Sequence, residues 1–383
     1  MKVGDLQRES PRARVLRWLE DSIKSGSLPR GAELPTEREI ARIVGVATCT
    51  AAIAMDEAEE RGLAVRRHPG ARRRYAGTLR GDSLASSTVF VLAPLPVFSD
   101  FEKAPGWSDE FLALDVVRRL SLMRRHASLI NTLSMPEGGL DAVFAARPGG
   151  MVVTGSVSGD PLAMSALERS RASGIPAAAY GNAPELRAYD RAYSDHRAGS
   201  RDLTRWLLAR GCRRIVPFFP FTPKMFWETE RVAGYEEAMR EAGLTPLPGA
   251  TFGSPTVGMA QDAETFRIDS ALAAAMLLGM RSRGELPDAL LCLNDDWTKP
   301  ALAAIRSMGL VPNRDILVAG YDNMTKVSGF APFEAERPVV TVDKRNARSA
   351  EDLAALVVAR MDGELPPEPQ ARIHEHELVM LEP

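Results

Sequence analysis

The sequence predicts an α/β protein in which a small basic head precedes a larger body of parallel sheets with helices on both faces. Two observations carry this prediction. The first 80 residues contain three helical segments followed by a short basic hairpin pattern, and from Thr88 onward short apolar runs alternate with helical periodicity. A chain of 383 residues is long enough for such a head and a body of two parts.

Composition restricts the class of protein further. Hydrophobic residues make up 45% and charged residues 26% of the chain, as in ordinary globular proteins. No apolar run reaches the roughly 18 residues of a membrane helix, and residues 1–15 contain no apolar signal core. Cys49, Cys212 and Cys292 lie far apart, without metal-type spacing. We therefore expect a cytoplasmic protein with incidental thiols and with neither metal nor cofactor.

The charge is divided unevenly along the chain. The net charge is −2, but residues 1–80 carry 16 Lys and Arg against 11 Asp and Glu, and the remainder carries 32 against 39. A basic head on an acidic body indicates that the head meets a polyanion.

The head has the pattern of a winged helix-turn-helix. A first helix is predicted over residues 11–25, and Thr36 and Glu39 form a T-x-x-E capping box before a second. A third helix is predicted over residues 47–61, with Ile53, Met55 and Ala58 on its inner side. Two extended runs around the sequence His-Pro-Gly-Ala then predict a β-hairpin. In such a domain the third helix fits a DNA major groove.

The run G-x-L-P-R-G-x-x-L-P-T-E-R-E-I-A, together with Thr50 and E-x-R-G-L, resembles the DNA-binding domain of the GntR (gluconate repressor) family. The resemblance implies DNA contacts by Arg38, Thr48, Thr50 and Gly70. The family's Ser-Arg pair and second helix arginine are replaced here by Ala47-Thr48 and Ala52. We expect the wing to compensate through five arginines, which contact phosphates rather than read bases: Arg66, Arg67, Arg72, Arg73 and Arg74. The alternative is that this cluster is only a solvated face.

Residues 1–76 are therefore predicted to form the DNA-binding domain, residues 77–87 a Gly- and Ser-rich linker, and residues 88–383 the body. Within the body, strands are predicted at 89–93, 129–133, 150–154, 176–180 and 214–219. Helices are predicted at 111–125, 162–173, 196–210 and 230–242. Toward the C-terminus we expect an extended segment at 338–342, a helix at 345–362 and one edge strand at 372–379.

Residues 286–323 predict the centre of the body, a strand–helix–strand unit. Apolar runs at 289–293 and 316–319 flank a helix at 298–308, which a right-handed crossover would place beside two parallel strands. Asp295 and Asp322 then follow the carboxyl ends of their strands, the edge at which open parallel sheets bind ligands. These two carboxylates are predicted to hold a small polar ligand.

Several runs resemble the effector domain of the LacI/GalR (lactose and galactose repressor) family, among them S-G-I-P-A-A-A-Y, E-R-V-A-G-Y-E-E-A and D-I-L-V-A-G-Y-D-N. The resemblance implies a two-lobed, periplasmic-binding-protein-like (type I) fold with ligand between the lobes. The first lobe would hold residues 86–219 and 343–365, and the second residues 220–340 and the last strand. The family's ligand positions correspond to Asp195, Arg231, Asp295 and Asp322, and Trp107 could stack on a sugar ring.

Each of these residues also has an ordinary structural interpretation. Asp195 and Asp295 each precede a helix and could cap it, Asp322 could form an Asx turn, and Arg231 could lie on a helix surface. Trp107 could simply pack against the fold. After Asp295 the sequence has Trp297, Thr298 and Pro300, which differ from the family's small residues and indicate an altered pocket.

The sequence thus predicts a non-enzymatic, ligand-responsive transcriptional regulator, specifically a repressor. It resembles the arabinose-type repressors, with operator DNA, a sugar or sugar derivative and a second copy of the chain as partners. Two alternatives remain open at this point. GntR-type heads also occur on aminotransferase-like bodies that hold pyridoxal phosphate, although no lysine of the body has a recognisable Schiff-base setting. The body could also serve only for dimerisation.

Overall fold

The computed structural model describes residues 10–25, 27–29, 32–60, 63–66, 71–75, 84–95, 108–155, 157–256 and 261–381. Three predicted site residues, Arg67, Gly70 and Trp107, lie outside these ranges. Most of the predicted linker does as well, and its last four residues form a 3-10 helix, Leu84–Ser87, that leads into the body.

The head consists of three helices and a small hairpin. Helix α1 (Pro11–Lys24) begins after Ser10, whose hydroxyl caps its first turn, and α2 (Glu37–Val44) begins with the predicted capping box. There the Thr36 amide donates to Glu39 Oε2 at 2.8 Å, and the Glu39 amide donates to Thr36 Oγ1 at 3.3 Å. Helix α3 spans Thr48–Glu60, and strands β1 (Ala64–Val65) and β2 (Arg74–Tyr75) pair antiparallel. The predicted winged helix-turn-helix architecture is present.

The inner face of α3 differs from the prediction. Ile53 is 54% exposed, whereas Met55 and Ala58 are buried as expected. Positions 51, 54, 55 and 58 follow helical spacing and face the head core, and residue 53 is out of phase with them. Small side chains at 51 and 54 let α3 approach α1 and α2 closely, and Ile53 is left on the outer surface.

The body contains two lobes, each built on one sheet. In the first lobe the described strands run in the order β13-β7-β6-β5-β3-β4, and every pair is parallel. These strands are β3 (Thr88–Ala93), β4 (His126–Asn131), β5 (Gly150–Val153), β6 (Ala177–Tyr180), β7 (Asp190–Ser194) and β13 (Ala371–His374). Helices α4 (Ser108–Leu122) and α11 (Asn346–Met361) bury one face, while α5 (Gly139–Ala145) and α6 (Pro161–Ala172) bury the other.

In the second lobe the described strands run in the order β14-β12-β11-β10-β8-β9, all parallel except the pair β12–β14. They are β8 (Ile215–Phe219), β9 (Ala250–Thr251), β10 (Ala289–Cys292), β11 (Leu317–Ala319), β12 (Val340–Asp343) and β14 (Glu377–Met380). Helices α7 (His196–Ala209) and α8 (Phe226–Glu241) cover one face. The other face is covered by α9 (Ala263–Ser282), which the sequence analysis did not predict, and α10 (Asp295–Ser307).

Two assignments of residues to lobes were wrong. Strand β8, predicted to close the first lobe, belongs to the sheet of the second. The single predicted edge strand at 372–379 is two strands, because the chain pairs with β7 up to His374 and then with β12 from Glu377. Local periodicity is the same in either lobe, so it could not show which sheet receives a strand. The chain therefore passes between lobes near residues 195, 344 and 375.

Candidate functional site

The carboxyl ends of β10 and β11 meet at one edge of the second lobe. The two strands are parallel neighbours, in register at Leu291 and Ala319, so the loops that follow them lie side by side. Asp295 lies in the first turn of α10 and Asp322 in the loop after β11. The predicted proximity of these two carboxylates is therefore present, but their surroundings differ.

Asp322 lies at the centre of a buried charge cluster. Its Oδ1 accepts from Arg231 Nη2 at 2.8 Å and lies 3.2 Å from Lys344 Nζ. The three side chains are 7%, 3% and 6% exposed, respectively. Burial acts to raise the pKa of Asp322, but Lys344 and Arg231 outweigh it and lower that pKa below its usual value. The carboxylate is therefore ionised at neutral pH.

The backbone at this position is strained. Asp322 has φ 91° and Asn323 φ 54°, both in the left-handed region that non-glycine residues rarely occupy. The Asp322 amide donates to the carbonyl of Val342 at 2.7 Å, and the Asn323 side-chain amide donates to Asp343 Oδ2 at 3.0 Å. These bonds to β12 stabilise a loop whose conformation costs energy, a combination common at ligand sites.

Arg231 connects this carboxylate to an aromatic wall. Its guanidinium carbon lies 3.6 Å from the ring centre of Tyr321 and 4.6 Å from that of Trp227. Its Nη1 donates to the carbonyl of Leu293, and its Nε donates to His196 Nδ1 at 3.3 Å. Burial, followed by Arg231 and Lys344, lowers the pKa of His196 well below its ordinary value, so the ring is neutral and Nδ1 can accept.

Asp295 is enclosed within the lobe. Its Oδ1 is bonded to the Thr341 hydroxyl at 2.8 Å and its Oδ2 accepts from the Met324 amide at 2.6 Å. The residue is fully buried, and burial raises its pKa to about 8. A Cβ on Gly320 would lie 1.9 Å from Asp295 Oδ1, so only glycine fits beside it. Asp295 therefore fixes the 320–324 loop from behind, and Asn294 rather than Asp295 caps α10.

Asp195 lies where β7 of the first lobe passes into α7 of the second. Its Oδ1 accepts from the Ala198 amide at 2.9 Å, so the ordinary capping role is present. The half-buried residue stands next to His196, which contacts Arg231. The structure thus brings Asp195, Arg231 and Asp322 to one region, with Asp295 beneath it.

Four residues of this region were missed by the sequence analysis: His196, Trp227, Tyr321 and Lys344. Lys344 had a detectable signal, because it directly follows β12, the next parallel strand at the same edge. Tyr321 and Trp227 gave no such signal, since their role depends on the position of the Arg231 guanidinium.

In the head, Arg38 and Thr48 are exposed and Thr50 is half-buried, on adjoining parts of α2 and α3. The wing arginines are not equivalent. Arg73 is 7% exposed, and its guanidinium contacts carboxylates of Glu37, Asp56 and Glu59. It therefore fastens the wing to α2 and α3 and offers no free charge to phosphate, unlike the prediction. The other described wing arginines remain more exposed, Arg66 pairing with Glu59 and Asp56, and Arg72 and Arg74 with Glu33.

Comparison with known proteins identifies both parts of the chain. Residues 11–72 match the model of bacterial regulatory proteins of the gntR family, and residues 204–380 match that of the periplasmic binding protein-like domain. The chain joins a GntR-type domain to a periplasmic binding protein-like domain. Among the residues that the structure describes, no helix is long and apolar enough to span a membrane. Within the same ranges, no three His, Cys, Asp or Glu side chains are grouped to hold a metal ion.

The periplasmic binding protein-like domain has relatives among curated regulators. The transcriptional repressor PurR of Vibrio atlanticus is 25% identical over 192 residues, which cover 50% of this chain and 52% of that protein. The regulator CelR of Thermobifida fusca is 28% identical over 170 residues, covering 44% and 45%. The chain thus spans about half the length of the curated relatives it matches.

Solved structures show the same fold. A LacI-family regulatory protein from Chloroflexus aggregans matches with a TM-score of 0.60 and 21% identity, covering 77% of this chain and 97% of that one. A complex of the regulator CelR with cellobiose matches with a TM-score of 0.58 and 21% identity, covering 91% and 99%. The two-lobed architecture predicted from the sequence is confirmed.

Proposed function

We propose that this protein is a ligand-responsive transcriptional repressor. Its GntR-type domain binds operator DNA, and a small polar effector, a sugar or sugar derivative, binds between the lobes of the body. The observation that carries the proposal is the buried ion pair of Arg231 and Asp322 on a strained loop, in a chain that begins with a GntR-type domain. DNA is the chain's partner in the cytoplasm under this proposal.

The effector site uses Asp195, Arg231 and Asp322, with Trp107 as a stacking surface. An ionised carboxylate accepts two or more hydroxyl hydrogen bonds, and a guanidinium donates in a fixed fork, a pairing that suits polyols. Asp295 acts indirectly, because both of its oxygens are engaged in holding the loop that carries Asp322. The printed name of one structural relative, a complex of CelR with cellobiose, supports a carbohydrate effector.

DNA recognition uses the exposed surface of α2 and α3 together with the wing. Arg38, Thr48 and Thr50 face the base edges or the adjacent backbone, and Gly70 lets the tip of the wing approach the DNA. Arg66, Arg67, Arg72 and Arg74 supply phosphate contacts, which position the domain without reading sequence. Arg73 contributes by holding the wing in place.

A homodimer places two such heads on a two-fold-related operator. The first lobe offers a surface for dimerisation, because α4 carries Phe111, Leu114 and Leu122 as exposed apolar side chains. Effector between the lobes changes the angle between them and with it the spacing of the heads. Effector and DNA each favour one arrangement, so each alters the affinity for the other.

The proposal is tested by selecting DNA sequences from a random pool with the purified chain, then measuring affinity by fluorescence anisotropy with and without individual sugars. We expect sequence-specific binding, and at least one sugar that changes the affinity by about 5-fold or more, the usual lower range of allosteric coupling. Arg231→Gln should abolish the sugar's effect while DNA binding persists. Binding without sequence preference would contradict the proposal.

A further inference from the structure

A cavity of about 480 Å³ opens where the chain passes from β12 to α11. The first lobe lines it with Arg119 of α4 and with Arg345, Arg348 and Glu351, and the second lobe with Asp322 and Asn323. Its volume falls within the roughly 300–1,000 Å³ of small-molecule sites. Arg231, His196 and Trp227 of the site described above are not among its lining residues.

We propose that this cavity is a second ligand site, which takes the phosphate group of a small anionic molecule and bridges the two lobes. The inference goes beyond the effector cleft and does not depend on the identity of the effector or of the operator.

Two guanidiniums from different helices converge on the cavity with donors to spare. Arg119 Nη1 lies 3.5 Å and Arg348 Nη1 3.3 Å from the same oxygen of Glu351. Both distances exceed the roughly 2.7–2.9 Å of a strong charge-assisted hydrogen bond. The Nε of Arg119 is also buried without a hydrogen-bond partner, and its nearest carboxylate, Asp115, is 3.7 Å away. Planar guanidiniums of this kind match the oxygens of a phosphate.

The first turn of α11 supplies a second source of positive potential. Residues 345–348 form part of the cavity wall, and α11 continues for 16 residues behind them. The residue before the helix, Arg345, is left-handed with φ 55° and provides no side-chain cap. The first amides of a helix point outward and carry the positive end of its dipole, an arrangement that binds phosphate elsewhere.

The carboxylates at the cavity are largely engaged elsewhere and do not fill it. Asp322 is bound by Arg231 and Lys344. Asp343 accepts from the Asn323 side-chain amide at 3.0 Å and from the Arg345 amide at 2.6 Å. The Arg345 side chain pairs with Glu377 at 2.9 Å, so Arg119 and Arg348 are the cations that would hold the ligand.

Because the cavity is lined from both lobes, a ligand in it senses the angle between them. Arg119 and Arg348 belong to the first lobe, and Asn323 belongs to the second and can donate its amide to the same ligand. Such a ligand binds most tightly in the lobe arrangement that brings these groups together, and it therefore shifts the population toward that arrangement.

The test uses the full chain and inorganic phosphate as the probe. Thermal unfolding is followed against phosphate concentration at constant ionic strength, with sodium chloride as the balancing salt, and the shift gives a dissociation constant. The variant combining Arg119→Gln and Arg348→Gln should bind phosphate at least tenfold more weakly. Arg118→Gln, one position away on an exposed part of α4, should bind as the parent does.

Three further measurements make the outcome decisive. Arg72→Gln in the wing should leave phosphate binding unchanged, and a loss there would overturn the proposal by moving the anion to the head. Asn323→Ala should weaken binding several-fold, and an unchanged constant would refute the bridging of the lobes. Acetate replaces phosphate in a parallel titration, and equal or stronger stabilisation by acetate would exclude a phosphate site. Equal stabilisation of the double variant would leave an adventitious ion only.

Discussion

Asp322 and Arg231 are joined by an ion pair of 2.8 Å with both side chains more than nine-tenths buried. The pair connects two elements 91 residues apart in sequence, α8 and the loop after β11, at the edge where the strands of the second lobe end. A charge pair this far from solvent is costly to desolvate and contributes little net stability over an apolar pair, so its retention is better explained by a ligand.

Replacing Asp322 by Asn leaves Arg231 and Lys344 buried without their shared carboxylate. We expect the free energy of unfolding to fall by about 3–5 kcal/mol, the cost of breaking a buried ion pair. Urea denaturation followed by circular dichroism measures it. Asp362→Asn is the matched control, because it removes the more exposed pair with Arg125 and should cost about 0–1 kcal/mol. Equal effects of the two substitutions would contradict the assignment.

Asp295 should make stability fall as pH rises. Its pKa in the folded chain is raised to about 8 from an ordinary value of 3.8, so between these values the folded state holds a proton that the unfolded state has released. This group therefore favours folding at low pH, and the contribution is lost as pH rises toward 8. Asp295→Asn mimics the protonated form, since its amide can donate to Thr341 while its oxygen accepts from Met324.

The measurement is the unfolding free energy of parent and Asp295→Asn at pH 5 and pH 8. Relative to the parent, the variant should be more favourable at pH 8 than at pH 5. A difference that is the same at both pH values would show that Asp295 is ionised in the folded protein.

Gly320 and Gly279 should respond in opposite directions to the same substitution. A Cβ at Gly320 would meet Asp295 Oδ1 at 1.9 Å, and we expect Gly320→Ala to cost about 1–3 kcal/mol through overpacking. Gly279 lies within α9 with its nearest neighbour at 3.5 Å, so Gly279→Ala should stabilise the chain by about 0.5–1 kcal/mol. Thermal unfolding of both variants checks the pair, and a neutral Gly320→Ala would show that the loop can move freely.

The wing arginines should separate into two classes. Arg73→Gln removes contacts to Glu37, Asp56 and Glu59, and we expect the head to lose about 2 kcal/mol, as for hydrogen bonds to charged groups. Arg72→Gln should leave stability within about 0.5 kcal/mol, because the side chain is exposed. Hydrogen exchange of amides in α2 and α3 reports head stability.

DNA binding separates the same two variants by salt dependence. Arg72→Gln should reduce the slope of log affinity against log salt concentration by about 0.9, the value for one lost phosphate contact. Anisotropy titrations at several salt concentrations measure this slope. If Arg73→Gln gave that reduction and Arg72→Gln did not, the roles assigned to the two residues would be reversed.

Local sequence signals predicted the helices, strands and sheet edge well where the decisive interaction is short-range. The capping box of Thr36 and Glu39 and the strand ends before Asp295 and Asp322 are of this kind. Burial and partner choice depend on distant residues, and there the predictions failed. Asp295 proved to be enclosed because Thr341 and Met324 close over it, and Arg73 because three carboxylates from two helices surround it.

The passage of the chain between the lobes has a consequence for biosynthesis. The first lobe needs β13 at residues 371–374 to complete its sheet, and the second needs β14 at 377–380, so both remain unfinished until translation is almost over. The head is contiguous, with its described elements ending at Tyr75, and can fold while the ribosome is still making the body. A nascent chain therefore has a folded head long before it has a body able to pair with another copy or to bind an effector.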